Sequence, residues 1–249
     1  MQMGGLACIV LATVTVRAAR IACSHNGSVV WSPPPNFRER CNVTLTGQSH
    51  SIHTSNAMRL CAGFSGCTLL YYNDQERLSE LAKWQEYKTI HAISRISHPV
   101  MAADMFRLAA LYNTGGYYMD LKSGFQSHAD WHCLAQFAPK IWVTRAAGST
   151  KPLNWLMYST ANHSDMRRIL DNIVSDVLAG RESTDTRFET RVWDLTGPVA
   201  LKRYLGNVST VPAEEKCCVY DYRGAGTSWS DKASYHSLPD KMSVYKHKG

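Results

Sequence analysis

Asp104 and Arg107 stand three residues apart in an otherwise apolar run from Val100 to Tyr112. On a helix that spacing puts both side chains on one face. A carboxylate beside a guanidinium is what a structural ion pair looks like. It is also a pair that can hydrogen-bond a polyhydroxylated ligand. Gly115-Gly116 follow at once, allowing a tight turn and a close approach of backbone to a ligand. Asp120 comes after Tyr117-Tyr118-Met119. It falls at the carboxyl end of an expected buried strand, where open α/β sheets bind ligands. Other capable residues are less well placed. Asp165 and Asp171 read as a solvated helix face, Asp194 precedes Thr196-Gly197-Pro198, and His236 reads as a surface histidine. His132-Cys133 would supply a thiol nucleophile only with a second, oriented histidine.

These residues need a scaffold, and the hydrophobic pattern supplies one. Thr68-Leu69-Leu70-Tyr71-Tyr72 suits a buried strand, ended by Asn73-Asp74. A helix through Leu78, Leu81 and Trp84 is expected next. Pro99 opens a helix from Val100 to Tyr112 that stops at Gly115-Gly116. Tyr117-Tyr118-Met119 and Ile141-Trp142-Val143 read as further strands. Ser164 caps a helix whose apolar positions, Met166 through Leu178, keep the helical period until Gly180. Thr196-Gly197-Pro198 starts a short helix through Leu205, and Val219 to Tyr222 reads as a last strand. Residues 24–58, rich in Ser, Asn, Pro and Thr, read as irregular apart from a short strand at Val29-Val30-Trp31. Strands alternating with helices imply an α/β fold with a mostly parallel central sheet flanked by helices.

The segment from Ala103 to Asp120 resembles the glycosyltransferases whose sugar-binding region contains a DXD motif, glycosyltransferase family 32. The family pattern A-D-x-x-R-x-x-x-L-Y-x-x-G-G-x-Y-x-D is met by Ala103, Asp104, Arg107, Leu111, Tyr112, Gly115, Gly116, Tyr118 and Asp120. Tyr71-Tyr72-Asn73-Asp74 is similar to the family's strand ending in Asn-Asp. Asn154 resembles its Asn-bearing segment, Thr196-Gly197-Pro198 its T-G-P, and Ser228-Trp229 its C-terminal G-S-W loop. The resemblance spans about residues 68–230 and leaves the first 60 or so unmatched. It implies a GT-A fold that moves a hexose from a nucleoside diphosphate sugar to a glycan or glycolipid, with retention of configuration. It implies that Asp104 and Arg107 contact the donor sugar, and that Gly115, Gly116, Tyr118, Asn73 and Asp74 belong to the donor site. Ser228 and Trp229 would close over the diphosphate. Asp120 would meet the ribose and a metal–diphosphate group, Mn²⁺ or Mg²⁺ being the usual cofactor. Glycosyl transfer develops positive charge at the anomeric carbon while a diphosphate departs. It therefore needs cations or dipoles at the phosphates, and water excluded.

One position departs from the pattern. Where the family has its second Asp, this chain has Lys122. A protonated lysine cannot ligate a metal. Lys122 either neutralises the diphosphate itself as a catalytic cation beside Asp120, or marks a scaffold that binds a sugar nucleotide or carbohydrate without turnover.

The chain of 249 residues allows one large domain, and 45% hydrophobic residues supply a core, which excludes an extended disordered chain. The net charge, 27 − 20 = +7, suits an anionic partner. The basic residues are scattered and no nucleic-acid-binding signature is present, so nucleic acid is not the expected partner. Four sequons, at Asn26, Asn42, Asn162 and Asn207, and eight cysteines fit an oxidising lumen. Cys61 with Cys67 would close a short loop. Vicinal Cys217-Cys218 rarely bond each other, so one of them needs a distant partner or none. The stretch from Met3 to Val16 suits a targeting core and falls short of the ~20 residues that span a bilayer. Arg17 and Arg20 follow it, on the flank that fits a signal peptide poorly. The expected division is residues 1–23 as a signal peptide or short membrane anchor and 24–249 as one GT-A-like domain. The expected location is the secretory lumen, the Golgi in particular.

Overall fold

A computed structural model describes residues 19–23, 29–30, 42–46, 67–120, 123–125, 131–137, 141–146, 148–185, 187–217, 219–220 and 243–246. Lys122, Ser228, Trp229 and His236 lie outside these residues, as does Cys61.

The chain begins with β1 (Ala19–Cys23), β2 (Val29–Val30), β3 (Asn42–Thr46) and β4 (Thr68–Tyr72). Three helices follow: α1 (Asp74–Lys83), α2 (Tyr87–Arg95) and α3 (Pro99–Thr114). Then come β5 (Gly116–Met119), β6 (Gly124–Phe125), α4 (Trp131–Ala135), β7 (Trp142–Arg145) and β8 (Pro152–Ser159). The last part holds α5 (Ser164–Leu178), α6 (Phe188–Leu195), α7 (Pro198–Tyr204), β9 (Ser209–Val211), α8 (Ala213–Cys217) and β10 (Val219–Tyr220). Eight of the strands form one sheet in the order β2-β1-β4-β3-β5-β8-β7-β9, and β10 pairs with β6. β1 lies within the span expected for the leader. Among the described residues no helix is long and apolar enough to cross a membrane.

The α/β fold with flanking helices is as expected, but the large sheet is mixed rather than mostly parallel. Its centre, β4-β3-β5, is parallel, as is β7 with β9. β8 runs antiparallel to both β5 and β7, and β1 antiparallel to both β4 and β2. The reason is loop length. β7 and β8 are joined by a short turn closed by Ala146 N–H donating to Lys151 O at 3.1 Å, and a short connection permits only an antiparallel pair.

A second correction concerns residues 24–58. They contain β3, the strand at the middle of the parallel block. Its Asn-Val-Thr-Leu-Thr alternates. Val43 and Leu45 join Leu69, Tyr117, Trp142 and Leu156 on one face, over α4 and α8. Thr44 and Thr46 lie on the opposite face by the strand period. There Leu70, Tyr72 and Tyr118 pack with Leu81, Met105, Ile169, Val192 and Leu201 of α1, α3, α5, α6 and α7. The threonines disguise a strand buried on both sides; Thr44 is fully buried, within the Asn42 sequon.

Local chemistry fixes the helix that matters most. His98 caps α3, its Nδ1 accepting from Val100 N–H at 3.3 Å, and Pro99 occupies the first turn. Gly115 ends α3 at φ 66°, and a Cβ there would lie 2.6 Å from the Ala161 nitrogen. Only glycine fits. α3 then runs back along β5. Eight residues of helix, about 12 Å, return Arg107 to the level reached by about four residues of strand, ~13 Å.

Cys217 bonds Cys133, joining α8 to α4. Cys67 is also disulfide-bonded.

Candidate active site

The parallel strands β4, β3 and β5 end at one edge, where Thr46 stands in register with Tyr72 and Asp120 follows Met119. Antiparallel β8 brings Asn154 and Trp155 to the same edge. Asp120 N–H donates to Trp155 O at 2.7 Å, and Asp120 O accepts from Ser123 N–H at 2.8 Å. The acidic residue is thus held by its backbone on both sides.

Its carboxylate is held too. Tyr118 O–H donates to Asp120 Oδ1 at 2.7 Å. Tyr118 has one proton to give, so the Thr46 hydroxyl, 3.1 Å away, is the donor to the phenol oxygen. Arg107 Nη1 lies 3.3 Å from the same Oδ1, and the Arg107 guanidinium sits 4.5 Å over the Tyr118 ring. Burial pushes the Tyr118 phenol well above its usual range, so it remains a donor. Asp120 Oδ2 takes no hydrogen bond from the described residues, and the side chain is 35% exposed. One carboxylate oxygen therefore faces outward from a fixed mount.

Asp104 and Arg107 are placed differently from what a direct sugar contact requires. Both are 4% exposed. Asp104 Oδ1 accepts from Arg107 Nη2 and from Asn154 Nδ2, each at 2.9 Å, and Oδ2 accepts from the Thr196 hydroxyl at 2.9 Å. Arg107 Nη1 also donates to Asn154 O at 2.5 Å, and Nε to Ala103 O at 3.3 Å. Burial raises the Asp104 carboxyl to about 6, against the opposing pull of Arg107 and the Thr196 and Asn154 hydrogen bonds. The pair is a buried frame behind Asp120. Asn154 and Thr196, distant in sequence, complete it, and the buried Gly197 keeps the turn after Thr196 tight: a Cβ there would lie 2.9 Å from Trp193 Cα.

The remaining expected residues divide. Asn73 caps α1 through a reciprocal capping box. Its Oδ1 accepts from Gln75 and Glu76 N–H at 3.0 and 2.9 Å, while Glu76 Oε2 accepts from Asn73 N–H at 2.8 Å. Asp74 pairs with Arg77. Gly115 and Gly116 sit at the far end of β5 from Asp120 and make the helix-to-strand turn, not a part of this site. Cys133 is spent in its disulfide and is no nucleophile. Asp165, Asp171 and Asp194 pair with Arg168, Arg167 and Arg203.

Two contributors escape notice in the sequence. Thr46 lies in the strand disguised by its threonines. Arg77, 4% exposed, stands one turn into α1 within electrostatic reach of Tyr118 and Arg107. Its signal was available: Asp74-x-x-Arg77 repeats the spacing of Asp104-x-x-Arg107.

The three carboxylates do not converge as a resident metal centre. Asp104 is consumed by its frame, Asp74 is engaged with Arg77, and one oxygen of Asp120 is shared by Arg107 and Tyr118. Among the described residues no cluster of three metal-ligating side chains is present.

Residues 54–137, about a third of the chain, match the family model described as glycosyltransferase sugar-binding region containing DXD motif. The matched stretch includes Asp74, Arg77, Asp104, Arg107, Tyr118 and Asp120. Among curated proteins none matches the chain. Solved structures similar to it include one titled PaToxG Glycosyltransferase, with TM-score 0.42 and 18% identity over 67% of this chain and 68% of that one. Another is the UDP-bound glycosyltransferase domain from the YGT toxin, with TM-score 0.42 and 10% identity over 65% of this chain and 55% of that one. The general activity to which the matched region points is glycosyl transfer.

Proposed function

We propose that this protein transfers a hexose from a nucleoside diphosphate sugar to a glycan or glycolipid acceptor, with retention, on a GT-A-type fold. The observation that carries the reading is Asp120. It is a half-buried carboxylate at the C-terminal ends of parallel strands, mounted on both its backbone groups and on one side-chain oxygen, with the other oxygen outward. An oxygen so placed accepts hydrogen bonds from a ribose or a sugar hydroxyl without reorganising, which is the arrangement that favours a transition state over bulk water. Asp104, Arg107, Asn154, Thr196 and Tyr118 orient it. In the sequence Lys122 stands two residues on, and a cation there suits a departing diphosphate in place of part of the charge a divalent ion supplies. The secretory pathway remains our proposed location, with the N-terminal stretch as its address or anchor; Asn162 and Asn207 are exposed and open to glycans.

The reading is tested by donor hydrolysis with UDP- and GDP-hexoses, each in Mn²⁺ and in chelator. We expect turnover that survives the chelator, and a loss of about 100-fold or more in Asp120→Asn, as for removal of one preorganised group. Nucleotide binding without any turnover would replace this reading with the second one that Lys122 keeps open, a scaffold that binds and does not transfer.

A further inference from the structure

Arg107, the arginine that the motif supplies, has little left to offer a ligand: its Nε, Nη1 and Nη2 all reach protein acceptors. Arg77 is the opposite case. It is as deeply buried, with its side chain 5% exposed, yet among the described residues its one ion-pair partner is Asp74 through Nη2, and that carboxylate is itself 47% exposed. Among the described residues Nε and Nη1 donate to no acceptor. α1 begins where β4 ends, and this guanidinium is within electrostatic reach of Tyr118 and Arg107, the two side chains that hold Asp120. Burial pulls Arg77 below its usual range, and the neighbouring Arg107 adds to that pull. An arginine keeps its charge regardless. Two buried cations within electrostatic reach of one another, one of them with unused donors, are complementary to an anion.

We propose that Arg77 is a further donor-binding residue, whose Nε and Nη1 hydrogen-bond the diphosphate of the sugar nucleotide. The proposal rests on the glycosyltransferase reading and assigns its leaving-group contact. Nε–H and the Nη1 hydrogens point in different directions within one rigid plane, so each meets a separate phosphate oxygen, a fixed arrangement that lysine's rotating ammonium lacks. Asp74 engages Nη2 and leaves Nε and Nη1 as the donors for an anion.

Titration calorimetry of UDP, GDP and uridine, in chelator and in Mn²⁺, tests it on the whole chain. Arg77→Gln is expected to weaken nucleoside diphosphate binding by about tenfold or more, the scale of a charge-assisted hydrogen bond, and to leave uridine binding within twofold. Arg77→Lys should recover part of the loss. Asp74→Asn, which removes the competing carboxylate, should bind the diphosphate as well as or better than the wild type. Arg187→Gln, the same charge change at an exposed site, should bind as the wild type does. Diphosphate binding by Arg77→Gln within twofold of wild type would overturn the proposal. So would an equal loss in Arg187→Gln, or weakened binding in Asp74→Asn if Arg77→Gln does not fold. If the wild type binds neither nucleotide, the glycosyltransferase reading itself falls, and this assignment with it.

Discussion

Asp74–Arg77 and Asp104–Arg107 have the same residue types, the same spacing and the same i,i+3 ion pair, and both arginines are 5% exposed. Their carboxylates are not alike: Asp104 is 5% exposed and Asp74 is 47% exposed. The difference comes from what packs outside each helix. α3 lies under Asn154 and Thr196, which fill the remaining valences of its pair, whereas the first turn of α1 opens on one side to solvent. Local spacing makes the pair; tertiary cover decides whether it becomes a closed frame or a cation with donors to spare.

The sharpest way to break that comparison is to remove each partner in turn. Arg107→Ala leaves Asp104 as a buried carboxylate without its cation, and should cost about 3–5 kcal/mol at pH 8 by denaturant titration. That cost should shrink at pH 5, because an unpaired buried acid takes up a proton. An equal cost at both pH values would mean that Asp104 is not charged in the native state at pH 8.

A smaller effect follows from Asp104 in the wild type. Its folded value, about 6, lies above the 3.8 of an ordinary aspartate. The folded chain therefore holds that proton more tightly than the unfolded chain. This group's stabilising contribution is full below about pH 4 and is lost as pH rises through about 6. Unfolding free energies measured from pH 4 to 8 should fall more steeply in the wild type than in Asp104→Asn. Parallel curves would place the titration elsewhere.

The smallest effect belongs to Asp74. Its half-exposed ion pair is screened, and Asp74→Asn should change stability by less than about 1 kcal/mol. A cost approaching that of Arg107→Ala would show the two pairs to be equivalent after all.

Parts of this arrangement were legible in the residues. Thr68–Tyr72 and the helix from Ser164 carry their periods openly, and the Asp104, Arg107 and Asp120 spacing marks residues that the fold brings together. Other parts were not. β3 alternates apolar residues with threonine, amid a segment whose composition reads as loop. β8 begins at Pro152 and carries Asn154, so no apolar run announces it. Arg77 sits in Asp-Gln-Glu-Arg, a polar run that reads as a solvated turn, because burial by a distant strand end leaves no local mark. The burial of Asp104 and Arg107 was hidden for a related reason: a motif names residues but not which of them the rest of the chain will have already satisfied.

The bond between Cys133 and Cys217 carries a consequence for the order of events. Its two sulfurs are 84 residues apart in the chain, and α4 and α8 meet only across the sheet's second face. During synthesis Cys133 emerges long before its mate, so the link cannot form on a nascent chain that stops at β8. It can close only after β9 and α8 have followed, when most of the fold already exists. A chain that carries this bond is thus one synthesised at least through α8, and the bond fastens the two helices of the sheet's second face to each other.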